Sequence, residues 1–134
     1  MKKLLWYNVQ DSRVSLALLI LRLVFGVAMV AHGWGKIQNP MAWAGENFPG
    51  ILQLLAAVAE FGGGIAWIIG CLVPLASFGI FCTMAMAVYV HAAVKGDPFI
   101  GGYELALVYL AFAVAMMIAG PGKYSVDNKI FNKA

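Results

Sequence analysis

Four long apolar runs, separated by short stretches of glycine, proline and asparagine, constrain this chain more than any other feature. They fall at about 13–36, 51–72, 74–94 and 102–119 of 134 residues. A helix that crosses a bilayer takes roughly 20 apolar residues, and each run is of that order. Little chain is left over, so one domain spanning residues 1–134 is expected. The residues are 63% hydrophobic and only 11% charged, against roughly 25% charged in a soluble domain. The expected fold is all-α: an integral membrane four-helix bundle embedded in the lipid bilayer.

The punctuation between the runs supports this division. Asp11 or Ser12 is placed to cap the first helix. Asn39-Pro40 and Pro49-Gly50 bound a loop whose Trp43 and Phe48 suit a membrane surface. Leu72-Val73-Pro74 reads as a tight turn, with Pro74 in the first turn of the third helix. Gly120-Pro121-Gly122 ends the fourth helix, and a polar, basic tail follows. In the leader, Trp6 and Tyr7 suit the headgroup level. The polar stretch 8–13 and the lack of a small-residue cleavage site favour an uncleaved first helix over a secretion signal. The adjacent Gly62, Gly63 and Gly64 let a neighbouring helix approach closely.

Lys2, Lys3, Arg13, Lys123, Lys129 and Lys133 fall on the side that holds both ends of the chain, and Lys36 and Lys95 on the other. This bias predicts that both termini are cytoplasmic. The net charge of +3 is spread over the two ends rather than gathered in one patch, so no nucleic-acid partner is expected. Cys71 and Cys82 lack the spacing of a redox or zinc motif. No metal site is assigned, and two histidines on separate helices are a weak signal for haem.

Ionisable groups at bilayer depth are expensive and come with partners. At a rise of about 1.5 Å per residue, Arg22 lies ~12 Å into the first helix and Glu60 ~14 Å into the second. Both are near the midplane by this count, so an Arg22–Glu60 ion pair is expected as a buried polar centre. It serves equally as a pin between two helices or as a functional carboxylate held by an arginine. A second cluster gathers toward the outer side. His32 and Lys36 share one helix face, and His91 and Glu104 end and begin the third and fourth helices. The cluster reads as a wetted rim or as a site in which the histidines pass protons, Lys36 holds an oxygen and Glu104 orients a histidine. Trp34, Trp67 and Tyr103 are explained by interfacial belts more simply than by stacking on a quinone.

The motifs HGWGK at 32–36, EFGGG at 60–64 and GPGKYSVD at 120–127 resemble those of the DoxX family of small bacterial and archaeal membrane proteins. The resemblance runs over about 18–127, and Arg22, Lys36 and Glu60 fall on family positions. It implies a multi-pass protein of the bacterial inner membrane. Founding members of the family are described as the small membrane subunit of a thiosulfate:quinone oxidoreductase or terminal-oxidase assembly. The resemblance therefore implies quinone as ligand and a redox partner protein that carries the cofactor, since this chain shows no flavin, haem or iron–sulfur site of its own. It supplies no catalytic residues. Two other classes compete: a transporter of protons or a small solute, which at four helices per chain would be a homo-oligomer, and a scaffold for partner proteins.

Overall fold

The computed structural model describes residues 11–131. The leader, with Lys2, Lys3, Trp6 and Tyr7, and the last lysine, Lys133, lie outside the described residues. Helix α1 is Ser12–Gln38, α2 is Gly50–Ile69, α3 is Val73–Tyr89, α4 is Glu104–Ala119 and α5 is Val126–Phe131. The path of α3 continues through a wider π-type turn, Val90–Val94, and a second irregular turn, Phe99–Tyr103, leads into α4. Four segments are long and apolar enough to cross a membrane: Ser12–Gln38, Gly50–Ile69, Val73–Val94 and Phe99–Ala119.

Consecutive helices pack on one another, α1 on α2, α2 on α3 and α3 on α4. The outer surface is apolar: Val24, Val27, Leu75 and Ile118 are each more than half exposed. Such a surface is stable when lipid is the solvent, because helices satisfy their backbone groups internally.

Close backbone approach sets the α1–α2 register. A Cβ on Gly26 would lie 2.9 Å from the Gly64 carbonyl oxygen, and one on Gly33 would lie 2.6 Å from the Phe61 nitrogen. Of the three adjacent glycines 62–64 in α2, Gly64 admits α1 while Gly63 admits Ile80 of α3. The seam between α1 and α4 is made by rings instead. Phe25 stacks on Phe112 at 4.1 Å and meets the edge of Tyr109 at 5.5 Å. Trp67 completes this core, edge-on to Phe112 at 4.8 Å, with its indole N–H donating to Ser77 Oγ at 2.8 Å. Trp67 is fully buried, so it is a core residue and not part of an interfacial belt. Trp34, at 58% exposure, does face outward.

The caps follow the sequence at several ends. Asp11 accepts from the N–H groups of Arg13 and Val14 at the start of α1. Gly70, in the left-handed region at φ 72°, ends α2 three residues before the expected boundary at 72. Pro74 lies in the first turn of α3. Helix α4 starts at Glu104 rather than 102, because Gly101 turns the chain at φ 81°.

The tail holds the largest surprise in the fold. Expected only to be polar and basic, it folds back under the bundle. The Asp127 carboxylate accepts from the N–H groups of Leu72 and Val73 at 2.7 and 3.0 Å, capping α3 across 55 residues of chain. The Asp127 N–H in turn donates to the Gly70 carbonyl at 2.9 Å. The Lys123 N–H donates to Ser15 Oγ of α1 at 3.0 Å. The start of α1, the α2–α3 turn and the tail thus form one sewn end of the bundle.

Candidate functional site

Each end of the bundle holds a buried charge. At the sewn end, Arg22 is 1% exposed. Its guanidinium donates to four backbone carbonyls. Nε reaches Trp67 O at 2.8 Å and Nη2 reaches Ile68 O at 3.5 Å. Nη1 bonds Pro121 O, and Tyr124 O at 3.1 Å. Two of these carbonyls belong to the last turn of α2, where helix ends lack backbone partners and the dipole favours a cation. The others belong to the tail. Gly70 has to be glycine here for a second reason besides its φ, since a Cβ would lie 2.6 Å from Arg22 Nη2. Arg22 therefore does not pair with Glu60, contrary to the expectation from depth. It fastens the tail to α2.

At the opposite end, Glu60 is 2% exposed and both its oxygens accept from Lys36 Nζ, at 2.6 and 2.7 Å. The same ammonium sits 4.3 Å from the centre of the Trp43 ring. Trp43 is held in place by its indole N–H, which donates to the Gln53 carbonyl at 2.9 Å. The loop of residues 39–49 folds around the side chain of Gln53, itself buried. Gln53 Oε1 accepts from the Ala44 N–H, and Nε2 donates to the carbonyls of Gly45 and Phe48. Lys36 thus has its charge matched by one carboxylate and covered by one ring.

Next to this pair lies a cavity of about 170 Å³ to which all the spanning segments contribute. Its polar lining is His32, Lys36, Glu60, His91 and Tyr109, and its apolar lining includes Met29, Met84 and Leu105. His32 and Leu105 line it while themselves exposed, so the cavity reaches the surface of the bundle beside them. His91 sits in the π-type turn, a deviation from regular helix often found at functional sites. Its Nδ1 lies 2.6 Å from Asp97 Oδ2. A carboxylate only accepts, so Nδ1 carries the proton and Nε2 is left free in the neutral ring. The Asp97 N–H also returns to the His91 carbonyl at 2.8 Å, a path made by Gly96 at φ 69°.

The model of the DoxX family matches residues 17–93. The chain belongs to the DoxX family. It is 30% identical over 131 residues to the inner membrane protein YqjF of Escherichia coli strain K12, covering 89% of this chain and 95% of that relative. No solved structure matches it. With the four spanning segments, these likenesses make it a multi-pass protein of the inner membrane.

The DoxX match takes in Arg22, His32, Lys36, Glu60 and His91, and stops short of α4. The structure gathers His32, Lys36 and His91 around one cavity and adds Glu60 to them. It leaves out Arg22, which lies in the sewn end, and Glu104. Glu104 is exposed in the first turn of α4 and does not line the cavity. The carboxylate that orients a histidine is Asp97. A signal for it existed in the sequence: Lys95-Gly96-Asp97-Pro98 is a turn that brings an acid back to the helix it has just left. Tyr109, which the sequence offers only as one of several aromatic residues able to stack on a quinone, also belongs to this end, as do Trp43 and Gln53, to which sequence reading assigned no role in a site. Among the described residues, no three His, Cys, Asp or Glu side chains converge as a metal site would require.

Proposed function

We propose that this DoxX-family protein binds the head ring of a membrane quinone in the cavity beside Lys36 and Glu60, as the membrane subunit of a redox assembly. The observation that carries the reading is the lining itself. Two histidines, a phenol and a neutralised ion pair share a small chamber with Met29, Met84 and Leu105, and two of its lining residues, His32 and Leu105, are exposed on helices with apolar outer faces. A volume of about 170 Å³ is below the ~300 Å³ at which pockets for whole drug-sized ligands begin. It suits one substituted ring, with the isoprenoid tail left in lipid. A quinone takes up two electrons and two protons to become a quinol. The electrons come from a partner protein with a redox cofactor, and the protons pass through the imidazoles of His32 and His91. Asp97 holds His91 in the tautomer that leaves Nε2 available. Glu60 and Lys36 set the local field without adding net charge.

Transport of a small solute finds less support. Below the cavity the bundle is filled by Trp67, Phe112 and Met116 and then closed by Arg22 and the tail, so the chamber has one open end. The lysine and arginine distribution favours placing the sewn end, and with it both termini, in the cytoplasm.

The test is an organic extract of protein purified gently from native membranes, wild type beside Glu60→Gln. The reading predicts bound quinone in the wild type and its loss from the folded variant. An extract of wild type without quinone overturns it.

A further inference from the structure

Tyr109 is an exception among the buried polar side chains of this protein. It is 5% exposed, and among the described residues its hydroxyl makes no hydrogen bond. The other buried polar side chains are all engaged. Arg22, Gln53 and Asp127 bond backbone groups, Glu60 bonds Lys36, and Ser77 accepts from Trp67. Buried hydroxyls without a partner are rare in folded proteins, and each one asks what it bonds. Tyr109 borders the cavity, so its partner is whatever occupies the cavity. The ring is not free to swing away. Phe25 packs against it edge-on at 5.5 Å and His32 at 5.9 Å.

The neighbouring groups narrow the chemistry of that occupant. The ammonium of Lys36 is spent on both oxygens of Glu60 and on the face of Trp43. It offers no free charge to a carboxylate or phosphate, which would be buried beside the Glu60 carboxylate without a cation of its own. A phenol is an uncharged donor at neutral pH, and its natural partner is the carbonyl oxygen of an uncharged ring. We infer that the Tyr109 hydroxyl donates the hydrogen bond that fixes a neutral, carbonyl-bearing ring in the cavity. This inference rests on the quinone reading and adds to it the residue that selects the carbonyl.

The experiment measures binding of 2-decyl-1,4-benzoquinone by quenching of tryptophan fluorescence, and binding of decylbenzene, the same tail on a ring without oxygens, by equilibrium partition of the radiolabelled compound. Full-length wild type is compared with Tyr109→Phe, which keeps the ring against Phe25 and His32. Loss of one hydrogen bond predicts roughly tenfold weaker binding of the quinone and unchanged binding of decylbenzene. Equal quinone affinity in the two proteins overturns the inference and leaves the quinone reading standing. Equal weakening of both ligands makes Tyr109 a packing residue and also overturns it. A wild type that does not bind the quinone removes both.

Discussion

The two ends of this bundle bury charge in opposite ways. Arg22 is surrounded by backbone carbonyls of α2 and of the tail, with Gly70 trimmed to make room for it. Its partners are fixed parts of the chain, and the result is a closed knot. Lys36 and Glu60 are matched to each other, covered by Trp43 and bordered by a cavity that also holds two histidines and Tyr109. Buried charge alone does not mark a site. A charge whose hydrogen bonds all go to backbone, with the Asp127 carboxylate near it, acts as a fastening, and we propose that the charge pair beside open volume is where a ligand sits.

The largest expected effect is at the knot. Replacing Arg22 with Leu leaves the last carbonyls of α2 and those of Pro121 and Tyr124 without donors. Stability should fall by about 3–5 kcal/mol, since each buried carbonyl left without its donor costs about 1–3 kcal/mol. Equilibrium unfolding in mixed detergent measures it, and a variant as stable as wild type would mean the knot fastens nothing. Glu60→Gln at the other end should cost less, about 2 kcal/mol, because the Lys36 side chain is 26% exposed and keeps some solvation. Exchanging the two, Lys36→Glu with Glu60→Lys, should recover most of that stability without recovering the ligand. If it recovers both, the pair acts only as a pin between helices.

Smaller still is Gln53→Ala. Three hydrogen bonds that shape residues 39–49 are lost, but the groups freed lie at the bundle end, and a cost of about 1–2 kcal/mol is expected. Hydrogen exchange should rise at the Ala44 N–H, which Gln53 protects, and stay unchanged around Arg22. Asp97→Asn is the mildest. Its partner His91 and Asp97 itself are each more than a third exposed, so stability should change by less than about 1 kcal/mol. The consequence to look for is a changed pH profile of ligand binding, since an amide no longer dictates which ring nitrogen carries the proton. An unchanged profile would take His91 out of the proton path.

How much of this was legible in the chain differs between the two ends as well. The four spans, the turn at Pro74, the Asp11 cap and the close approach at Gly64 all follow from local pattern and residue size. The pairing of charges did not follow, for a geometric reason. Depth counted from helix ends assumes that the ends are level. Here Gly33 touches Phe61 and Gly26 touches Gly64, which offsets the helices so that α2 begins beyond the end of α1. Residues 39–49 fold into the step around Gln53. The offset brings Glu60 within reach of Lys36 and sets Arg22 beside Trp67 and Ile68. Asp127 was hidden differently: its contacts with Leu72 and Val73 span 55 and 54 residues of chain, and no periodicity reports such a contact.

The most direct test of the contrast measures stability and binding on the same samples. Unfolding free energy and affinity for 2-decyl-1,4-benzoquinone are determined for wild type, Arg22→Lys and Glu60→Gln. The account predicts that Arg22→Lys loses stability, since an ammonium cannot serve carbonyls on both α2 and the tail, yet binds the quinone as wild type does. Glu60→Gln should stay folded and lose the quinone. An Arg22→Lys protein that keeps its stability but loses the ligand would contradict the account, because the charge taken for a fastening would then belong to the site.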